Sequence, residues 1–429
     1  MSEKLALFGG KKAVTLEKEM MDANRWPMLG KEELAAVEAV MRAPDVYSVT
    51  AEFEKEFAAY HGSKYALAHN NGTSSIQAAY FAAGVRPGDE VIVPSYTWHL
   101  GVSQVLTLHA IPVFCDVDPA SGAMRPDDLL KKISPHTRAI SVLHPFGYVA
   151  PMGEILKISR ERGIPVIEDC SHAHGALYGK KKVGTLGDIG CFSLQYSKLM
   201  TGIEGGILIT DNREYYERAV LLGHYERIPS LESPEYKKYC PGFPSAPTCF
   251  GFKYRIHPMA SAIALAQLRK LDAMNAARRR NLDYLTAALG RLHEAFQPPP
   301  ELPGTRRVYI NYICQFYEEK MEGITRDRFV EALNAEGLPS TYGRAGYLPV
   351  YWNPLYEERG NMWAEGCPFD GPYVRRKVTY RRGDCPEAEK IWTRTINLPA
   401  FPNKCDESVL AQCVEAVAKV VRNRAQLLA

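Results

Sequence analysis

The alternation of short apolar runs with amphipathic segments, from about residue 52 to residue 211, is the feature that most limits the fold of this chain. Each apolar run has the length and composition of a buried β-strand, and helical patterns fall between the runs. This order predicts an α/β core with a mainly parallel sheet covered by helices. The predicted strands are residues 65–68, 90–94, 112–117, 139–143, 165–168, 190–194 and 206–210, and the predicted helices between them include residues 74–84 and 152–162.

The rest of the chain predicts long helices followed by a smaller C-terminal α/β lobe. Residues 258–289 have the pattern of one or two long helices, and the proline-rich stretch 297–303 indicates a boundary. A strand at 307–317 and helices at 326–336 and 407–422 are predicted beyond it. We therefore divide the chain into an N-terminal segment (1–51), a large domain (52–290) and a smaller domain (291–429). Residues 342–385 show no clear period, and we interpret them as a functional loop.

Composition excludes several classes of protein. The chain has 429 residues, of which 46% are hydrophobic and 24% charged, as in an ordinary globular protein. The net charge of +3 is small and the basic residues are scattered, so no nucleic-acid partner is expected. The ten cysteines form no C-x-x-C pair, which favours a reduced, cytoplasmic protein with no metal site. No apolar stretch suits a signal peptide or a membrane span.

The first local signal is a polar segment at residues 70–75, which follows a predicted strand and opens a helix. Backbone amides at the start of a helix have no partner within the helix, so an anion can bind there. Small polar residues also cap helices that bind nothing, and that interpretation stays open here.

The second signal is Asp169, at the end of a predicted buried strand. Open α/β sheets bind ligands at the carboxyl ends of their strands, and a buried carboxylate needs a cationic partner. A protonated ring nitrogen would serve. A helix cap or a salt bridge is the alternative.

The third signal is Lys198, which follows an apolar strand and a polar turn and is followed by Glu204-Gly205-Gly206. Most lysines are solvated surface charges, which is the alternative interpretation. The apolar setting of Lys198 instead favours desolvation, which would lower its pKa toward that of a nucleophilic amine.

From about Trp26 to the C-terminal helix, the chain resembles the sugar aminotransferase family typified by DegT, DnrJ and StrS, whose members are fold-type-I pyridoxal-phosphate (PLP) enzymes. The matching segments, in order and at family-like spacing, are residues 71–74 (NGTS), 94–98 (PSYTW), 168–175 (EDCSHAHG), 184–188 (GTLGD), 192–198 (FSLQYSK), 204–206 (EGG) and 251–255 (GFKYR).

The resemblance implies that two residues carry the chemistry. Lys198 would form the Schiff base with pyridoxal 5'-phosphate and then act as the general base for the proton shift. Asp169 would pair with the pyridinium nitrogen and keep it protonated. Trp98 would stack on the cofactor ring, although a core tryptophan is the alternative.

The remaining cofactor contacts are also implied by the resemblance. Gly72, Thr73 and Ser193 would bind the phosphate, together with the helix that begins near Ser74. His172 would donate a hydrogen bond to the phenolic oxygen of the cofactor. His174 is interpreted as a satisfied core histidine.

One segment departs from the family pattern. Members commonly place an asparagine where this chain has Lys253, and that residue reaches the phosphate of the partner subunit. A lysine can bind a phosphate as a point charge, so we predict the same contact for Lys253 in a homodimer with shared sites. Arg255 is interpreted as structural.

The predicted activity is transfer of an amino group from glutamate or glutamine to a keto-cyclitol or keto-sugar, with pyridoxamine phosphate as the intermediate form of the cofactor. The loop at 342–385 resembles the cyclitol-aminating branch.

Several alternatives stay open at this point. They are a nucleotide-sugar aminotransferase, an aromatising relative, a PLP-binding regulator, and a transaminase of keto acids that uses Arg344 or Arg255 for a second carboxylate. The dehydratase branch carries histidine at the Schiff-base position, so Lys198 argues against it.

Overall fold

The computed structural model describes residues 3–237, 251–358 and 366–428. Its strands are β1 (Tyr65–His69), β2 (Glu90–Pro94), β3 (Ile111–Cys115), β4 (Thr137–Leu143), β5 (Val166–Asp169), β6 (Leu177–Tyr178), β7 (Lys181–Lys182), β8 (Ile189–Ser193), β9 (Gly206–Thr210), β10 (Phe296–Gln297), β11 (Thr305–Arg306), β12 (Tyr312–Phe316), β13 (Tyr342–Gly343) and β14 (Thr395–Leu398).

Its helices are α1 (Glu17–Ala23), α2 (Lys31–Arg42), α3 (Ser48–His61), α4 (Gly72–Ala82), α5 (His99–Thr107), α6 (Pro126–Lys132), α7 (Met152–Arg162), α8 (Arg213–Gly223), α9 (Pro234–Lys237), α10 (Pro258–Leu289), α11 (Arg326–Ala335), α12 (Pro354–Glu357), α13 (Pro386–Arg394) and α14 (Glu407–Arg422). Short 3-10 turns connect several of them.

A seven-stranded sheet forms the large core, in the order β1-β9-β8-β5-β4-β2-β3. Neighbours among β2, β3, β4, β5 and β8 are parallel, while β9 is antiparallel to both β1 and β8. Strands β2 and β3 are buried along their whole length because helices cover both faces, which explains their continuous apolar sequence. The prediction of a mainly parallel sheet flanked by helices is confirmed.

The topology brings three chain segments to one edge of this sheet. Strands β1, β5 and β8 run in the same direction, so His69, Asp169 and Ser193 end them at the same edge. The chain leaves β1 into α4, whose first residue is Gly72. Ser193 pairs with Gly206 across the β8–β9 hairpin. The three segments predicted to carry the chemistry therefore meet.

A second, antiparallel sheet in the order β10-β12-β14-β13 forms the smaller lobe. Its core contains apolar residues from both ends of the chain, including Leu5 and Met20 near the start and Val417 in α14. The single helix α10 contributes its C-terminal part to this core and its N-terminal part to the core of the large sheet. We propose that the large and small domains divide near residue 290.

The second lobe differs from its prediction at the strand expected over 307–317. The strand is shorter, because the Arg307 amide donates to the Glu301 carboxylate and the Val308 amide donates to the Gly147 carbonyl. These amides are used outside the sheet, so pairing begins at Tyr312.

The segment at 342–385 has two parts with different surroundings. Tyr342, Gly346 and Tyr347 line the large cavity described below. Further along, Arg376 forms a two-pronged ion pair with Glu90, at 2.6 and 2.7 Å, and Tyr380 donates to the Pro112 carbonyl at 2.8 Å. This later part therefore covers the edge of the large sheet. Residues 359–365 lie outside the described residues.

The eight cysteines that the structure describes are all free thiols, and most are buried. Cys240 and Cys249 lie outside the described residues. Among the helices described, none combines the length and the apolar character needed to cross a lipid bilayer.

Candidate active site

A cavity of about 1250 Å³ lies where the carboxyl edge of the large sheet faces the second lobe. Side chains from both lobes line it, including Asn311 and Asn397 of the second lobe. All the predicted site residues except Lys253 line this cavity, namely Gly72, Thr73, Ser74, Trp98, Asp169, His172, Ser193 and Lys198. Residues more than a hundred positions apart in the chain thus line one cavity.

The first turn of α4 leaves two backbone amides open toward the cavity. The Asn71 side chain caps the helix by accepting from the Ser74 amide at 2.8 Å and from its hydroxyl at 3.0 Å. Within the described parts of the chain, the amides of Gly72 and Thr73 make no hydrogen bond. Open amides at a helix start attract an anion.

Gly72 is required by the packing of this turn on β8. A Cβ at position 72 would lie 2.7 Å from the Ser193 Cβ and 2.9 Å from its Cα, far inside van der Waals contact. The absence of a side chain brings the open amides beside the Ser193 hydroxyl. The arrangement has the donors that a phosphate group needs.

The Asp169 carboxylate is buried and keeps one oxygen facing the cavity. Its Oδ1 accepts from the Ser171 amide at 3.0 Å. Its Oδ2 lies beside Gly101, where a Cβ would be 3.6 Å away, and no described residue donates a hydrogen bond to it. This oxygen is available to a cationic group in the cavity.

Lys198 lies in the same cavity with its side chain half-buried. Burial lowers the pKa of the Lys198 amine, and the negative charges of Asp169 and Glu204 partly oppose that shift. Its backbone is held by Trp26, whose indole Nε1 donates to the Lys198 carbonyl at 3.0 Å. The amine is therefore easier to deprotonate than a surface lysine.

His172 lies beside two aromatic rings, Phe146 and Tyr347, which also stack on each other at 5.3 Å. The rings of Phe146 and Tyr347 stack with it at centroid distances of 5.6 and 5.9 Å. The Phe146 amide donates to Nδ1 at 3.3 Å, and the Tyr347 hydroxyl lies 3.0 Å from Nε2. Burial and the nearby charge of Lys198 hold the pKa of His172 well below its ordinary value. The ring is therefore neutral, with its proton on Nε2.

His174 lies in the core, as predicted, against Phe192 at 5.3 Å. Neither ring nitrogen has a close hydrogen-bond partner among the described residues, but the Ser193 backbone lies near enough to oppose part of the shift in its pKa. Burial lowers the pKa of His174 to about 3, so the ring is neutral.

Trp98 precedes α5 at the cavity wall and is 59% exposed in the single chain. The alternative that it is a core tryptophan is wrong. Its ring lies 6.3 Å from that of Tyr347, which leaves one face open to the cavity.

Lys253 lies outside the large cavity. It is exposed and lines a separate recess of about 520 Å³, together with Tyr47, Ile203, Glu204 and Arg255. Within one chain it does not reach the open amides of α4, so a contact with a partner subunit stays a prediction. Arg255 packs over the ring of Tyr47 at 5.6 Å.

The sequence interpretation missed Arg278, which also lines the large cavity and is only 2% exposed. Its guanidinium lies 4.4 Å from the centre of the Trp26 ring. A helical pattern could have revealed it, because Leu271, Met274 and Leu282 place position 278 on the buried face of α10.

The sequence of the chain also matches a known family. A model of the DegT/DnrJ/EryC1/StrS aminotransferase family matches residues 27–418. The chain belongs to this family. It is therefore an aminotransferase, and the resemblance inferred from its motifs is confirmed.

Among its relatives, the L-glutamine:scyllo-inosose aminotransferase of Streptomyces griseus is 35% identical over 401 residues, with 91% of each chain covered. The L-glutamine:2-deoxy-scyllo-inosose aminotransferase of Streptomyces kanamyceticus is 32% identical over 430 residues, covering 94% of this chain and 95% of the relative. A solved structure of 3-amino-5-hydroxybenzoic acid synthase superimposes on this aminotransferase with a TM-score of 0.76 at 28% identity, covering 93% of this chain and 98% of the other.

Proposed function

We propose that this aminotransferase uses pyridoxal 5'-phosphate to move the amino group of L-glutamine to a ketone on a cyclitol. The observation that carries the proposal is a single cavity that contains a poorly hydrated amine, a buried carboxylate and two open helix amides.

The residues present fit this cofactor. The amides of Gly72 and Thr73 and the hydroxyl of Ser193 would hold its phosphate, and Asp169 Oδ2 would accept from its ring nitrogen. Lys198 would hold its aldehyde carbon. When bound, the cofactor supplies an electron sink for the carbanion at the substrate carbon and carries the amino group between two half-reactions.

The chain's own groups then have defined roles. Lys198 Nζ would take the proton from the α-carbon of the donor and return it to the carbon on the other side of the transferred nitrogen, a 1,3-shift that its lowered pKa favours. Asp169 would keep the ring nitrogen protonated. His172 would donate toward the phenolic oxygen from Nε2, where the Tyr347 hydroxyl also lies at 3.0 Å, because its Nδ1 accepts from the Phe146 amide. Trp98 would cover one face of the ring and exclude water.

The choice of donor and acceptor rests on the relatives, whose names specify L-glutamine and inososes, and on the cavity wall. Neutral side chains that both donate and accept hydrogen bonds line much of it, including Asn24, Gln77, Gln104, Asn311 and Asn397. Such a wall suits the hydroxyl groups of a cyclitol. A nucleotide-linked keto-sugar is the second candidate, because the motifs of the chain resemble those of sugar aminotransferases.

We also propose that the active unit is a homodimer in which Lys253 reaches the phosphate site of the partner subunit. Exposed apolar side chains surround its recess, including Tyr47, Ile203 and Phe252, and others follow along the N-terminal segment, such as Leu34 and Met41. Apolar surface of this kind is typical of subunit interfaces.

The decisive experiment follows the cofactor spectrum of the purified, PLP-loaded protein during addition of L-glutamine. We expect the long-wavelength absorbance to be replaced by that of pyridoxamine phosphate, and an inosose to reverse the change. Lys198→Ala should abolish it, whereas the exposed control Lys131→Ala should not. A wild-type spectrum that L-glutamine leaves unchanged would contradict the proposal and favour a binding or regulatory role.

The acceptors are then compared on the same pyridoxamine-loaded protein. Reversal by a nucleotide-linked keto-sugar, but not by an inosose, would replace the cyclitol with the second candidate.

A further inference from the structure

Arg278 is a buried cation that forms no ion pair with any acid among the described residues. It is 2% exposed, and neither its Nε nor its Nη1 makes a hydrogen bond with any residue that the structure describes. Burial lowers the pKa of its guanidinium to about 9. Arg307 is equally buried, but it donates to the carbonyls of Pro300 and Phe146, at 2.6 and 3.3 Å. Burial alone therefore does not explain the unused donors of Arg278.

An unpaired buried charge is costly, and proteins normally pair such a charge with an anion. Two acids line the cavity, Asp169 and Glu204, and neither forms an ion pair with Arg278. Apart from these acids, Lys198 and Arg278, the residues that line the cavity, such as Asn24, Ser340 and Asn397, are neutral. The site therefore has a planar cation with free donors and no anion from the described chain.

The position of Arg278 relates it to the reacting amine. Its guanidinium stacks on one face of the Trp26 indole at 4.4 Å, and the edge of the same indole donates to the Lys198 carbonyl at 3.0 Å. One aromatic ring thus separates the free guanidinium from the backbone of the lysine. Contact with Trp26 also restricts where the guanidinium can lie, and a guanidinium can bind a carboxylate through two parallel hydrogen bonds.

We propose that Arg278 binds the α-carboxylate of the amino donor. This inference rests on the proposed function, because an amino acid must place its α-carbon at Lys198 and so brings its carboxylate into the same cavity. Arg344 and Arg255, which the sequence suggested for the second carboxylate of a keto acid, are poorer candidates for this contact. The side chain of Arg344 is 58% exposed and lies 4.0 Å from Asp327, while Arg255 lines the recess of Lys253.

The proposal separates the two half-reactions. L-Glutamine carries an α-carboxylate, whereas a keto-cyclitol carries none. Arg278 should therefore determine the affinity for the donor and leave the reaction with the acceptor unchanged. A purely structural arginine would affect both half-reactions alike.

The test compares wild-type protein with Arg278→Met in single-turnover reactions. Loss of a charge-assisted, two-pronged contact should raise the half-saturating concentration of L-glutamine by roughly 10- to 100-fold. Wild type should prefer L-glutamine to its α-amide by a similar factor, and Arg278→Met should lose that preference. Arg278→Lys should recover part of it. Arg280→Met makes the same change at an exposed position of α10 and should behave as wild type.

A second readout requires no turnover. The thermal unfolding temperature of the cofactor-free Arg278→Met protein should be equal to or above that of wild type, because the variant removes an unpaired buried charge. Three results would each overturn the inference while the proposed function stands. They are an equal loss of affinity for L-glutamine and for its α-amide in Arg278→Met, a slower reaction of this variant with the acceptor, and a lower unfolding temperature of its cofactor-free form. A wild-type protein that is inert toward L-glutamine would overturn both.

Discussion

Replacing Gly72 with alanine tests whether the first turn of α4 holds the phosphate. The added Cβ would lie 2.7 Å from the Ser193 Cβ, whereas carbon atoms pack at about 3.5–4.0 Å. Either α4 or β8 must therefore move by about 1 Å. The backbone of β8 is tied to β5 and β9 on both sides, so the helix start is the part that yields.

Two quantities should change in Gly72→Ala. Overpacking of this size costs about 1–3 kcal/mol, which a urea unfolding curve of the cofactor-free protein measures. Displacing two amides from the phosphate should weaken PLP binding by at least about tenfold, which corresponds to about 1.4 kcal/mol. The dissociation constant is obtained by titrating the cofactor-free protein and following the absorbance of the bound cofactor.

The control is Gly30→Ala, where an added Cβ would meet the nearest atom, an oxygen of the Glu32 side chain, at 3.4 Å. It should leave both quantities near their wild-type values. If Gly72→Ala loses stability but binds PLP as tightly as wild type, the phosphate is held elsewhere. If neither quantity changes, the packing argument itself is refuted.

Three further predictions concern other residues. Asp169→Asn should slow the half-reaction with L-glutamine by roughly 10²–10³-fold in single-turnover kinetics, because a neutral amide does not keep the ring nitrogen protonated; an unchanged rate would remove Asp169 from the mechanism. Lys253→Ala should weaken PLP binding, and mixing it with Lys198→Ala should restore activity at limiting cofactor if Lys253 acts across a dimer; no recovery would place its role within one chain. The pKa of His174 is about 3 when folded and 6.5 when solvated, so unfolding takes up a proton below pH 6.5 and stability falls with acidification. Between pH 7 and pH 5, the free energy of unfolding should therefore fall by about 2 kcal/mol less in His174→Leu than in wild type, as measured by urea unfolding. An equal fall in both proteins would contradict the assigned pKa.

The large sheet was predictable because its strands are buried on both faces. Strands β2 and β9 were predicted with their observed ends, Glu90–Pro94 and Gly206–Thr210, and both are apolar along their length. The second lobe was harder. Its strand β12 begins only at Tyr312, because the amides of Arg307 and Val308 donate to Glu301 and Gly147 instead of joining the sheet. Gly147 belongs to a distant segment of the chain, and no local pattern encodes that contact.

The active site likewise contains residues that the sequence predicts and contacts that it does not predict. Asp169, Ser193 and Lys198 lie at or just beyond the ends of predicted strands, and parallel topology brings strand ends together whatever the details of packing. The environment of His172 was not predictable, since Phe146 and Tyr347 come from two distant segments. Trp26 contacts Lys198 across 172 positions of the chain, which also lies beyond local patterns.

Arg278 explains how one cavity can accept two unlike substrates in turn. In the free protein its charge is buried and unpaired, so an amino acid with a carboxylate gains more from this position than any neutral molecule of the same size. A keto-cyclitol leaves Arg278 as it was before binding and therefore incurs no additional electrostatic cost there. Its own affinity must come from the amide and hydroxyl groups of the wall. Donor and acceptor would then be selected by different residues of the same cavity, and neither would require the protein to change shape between the half-reactions.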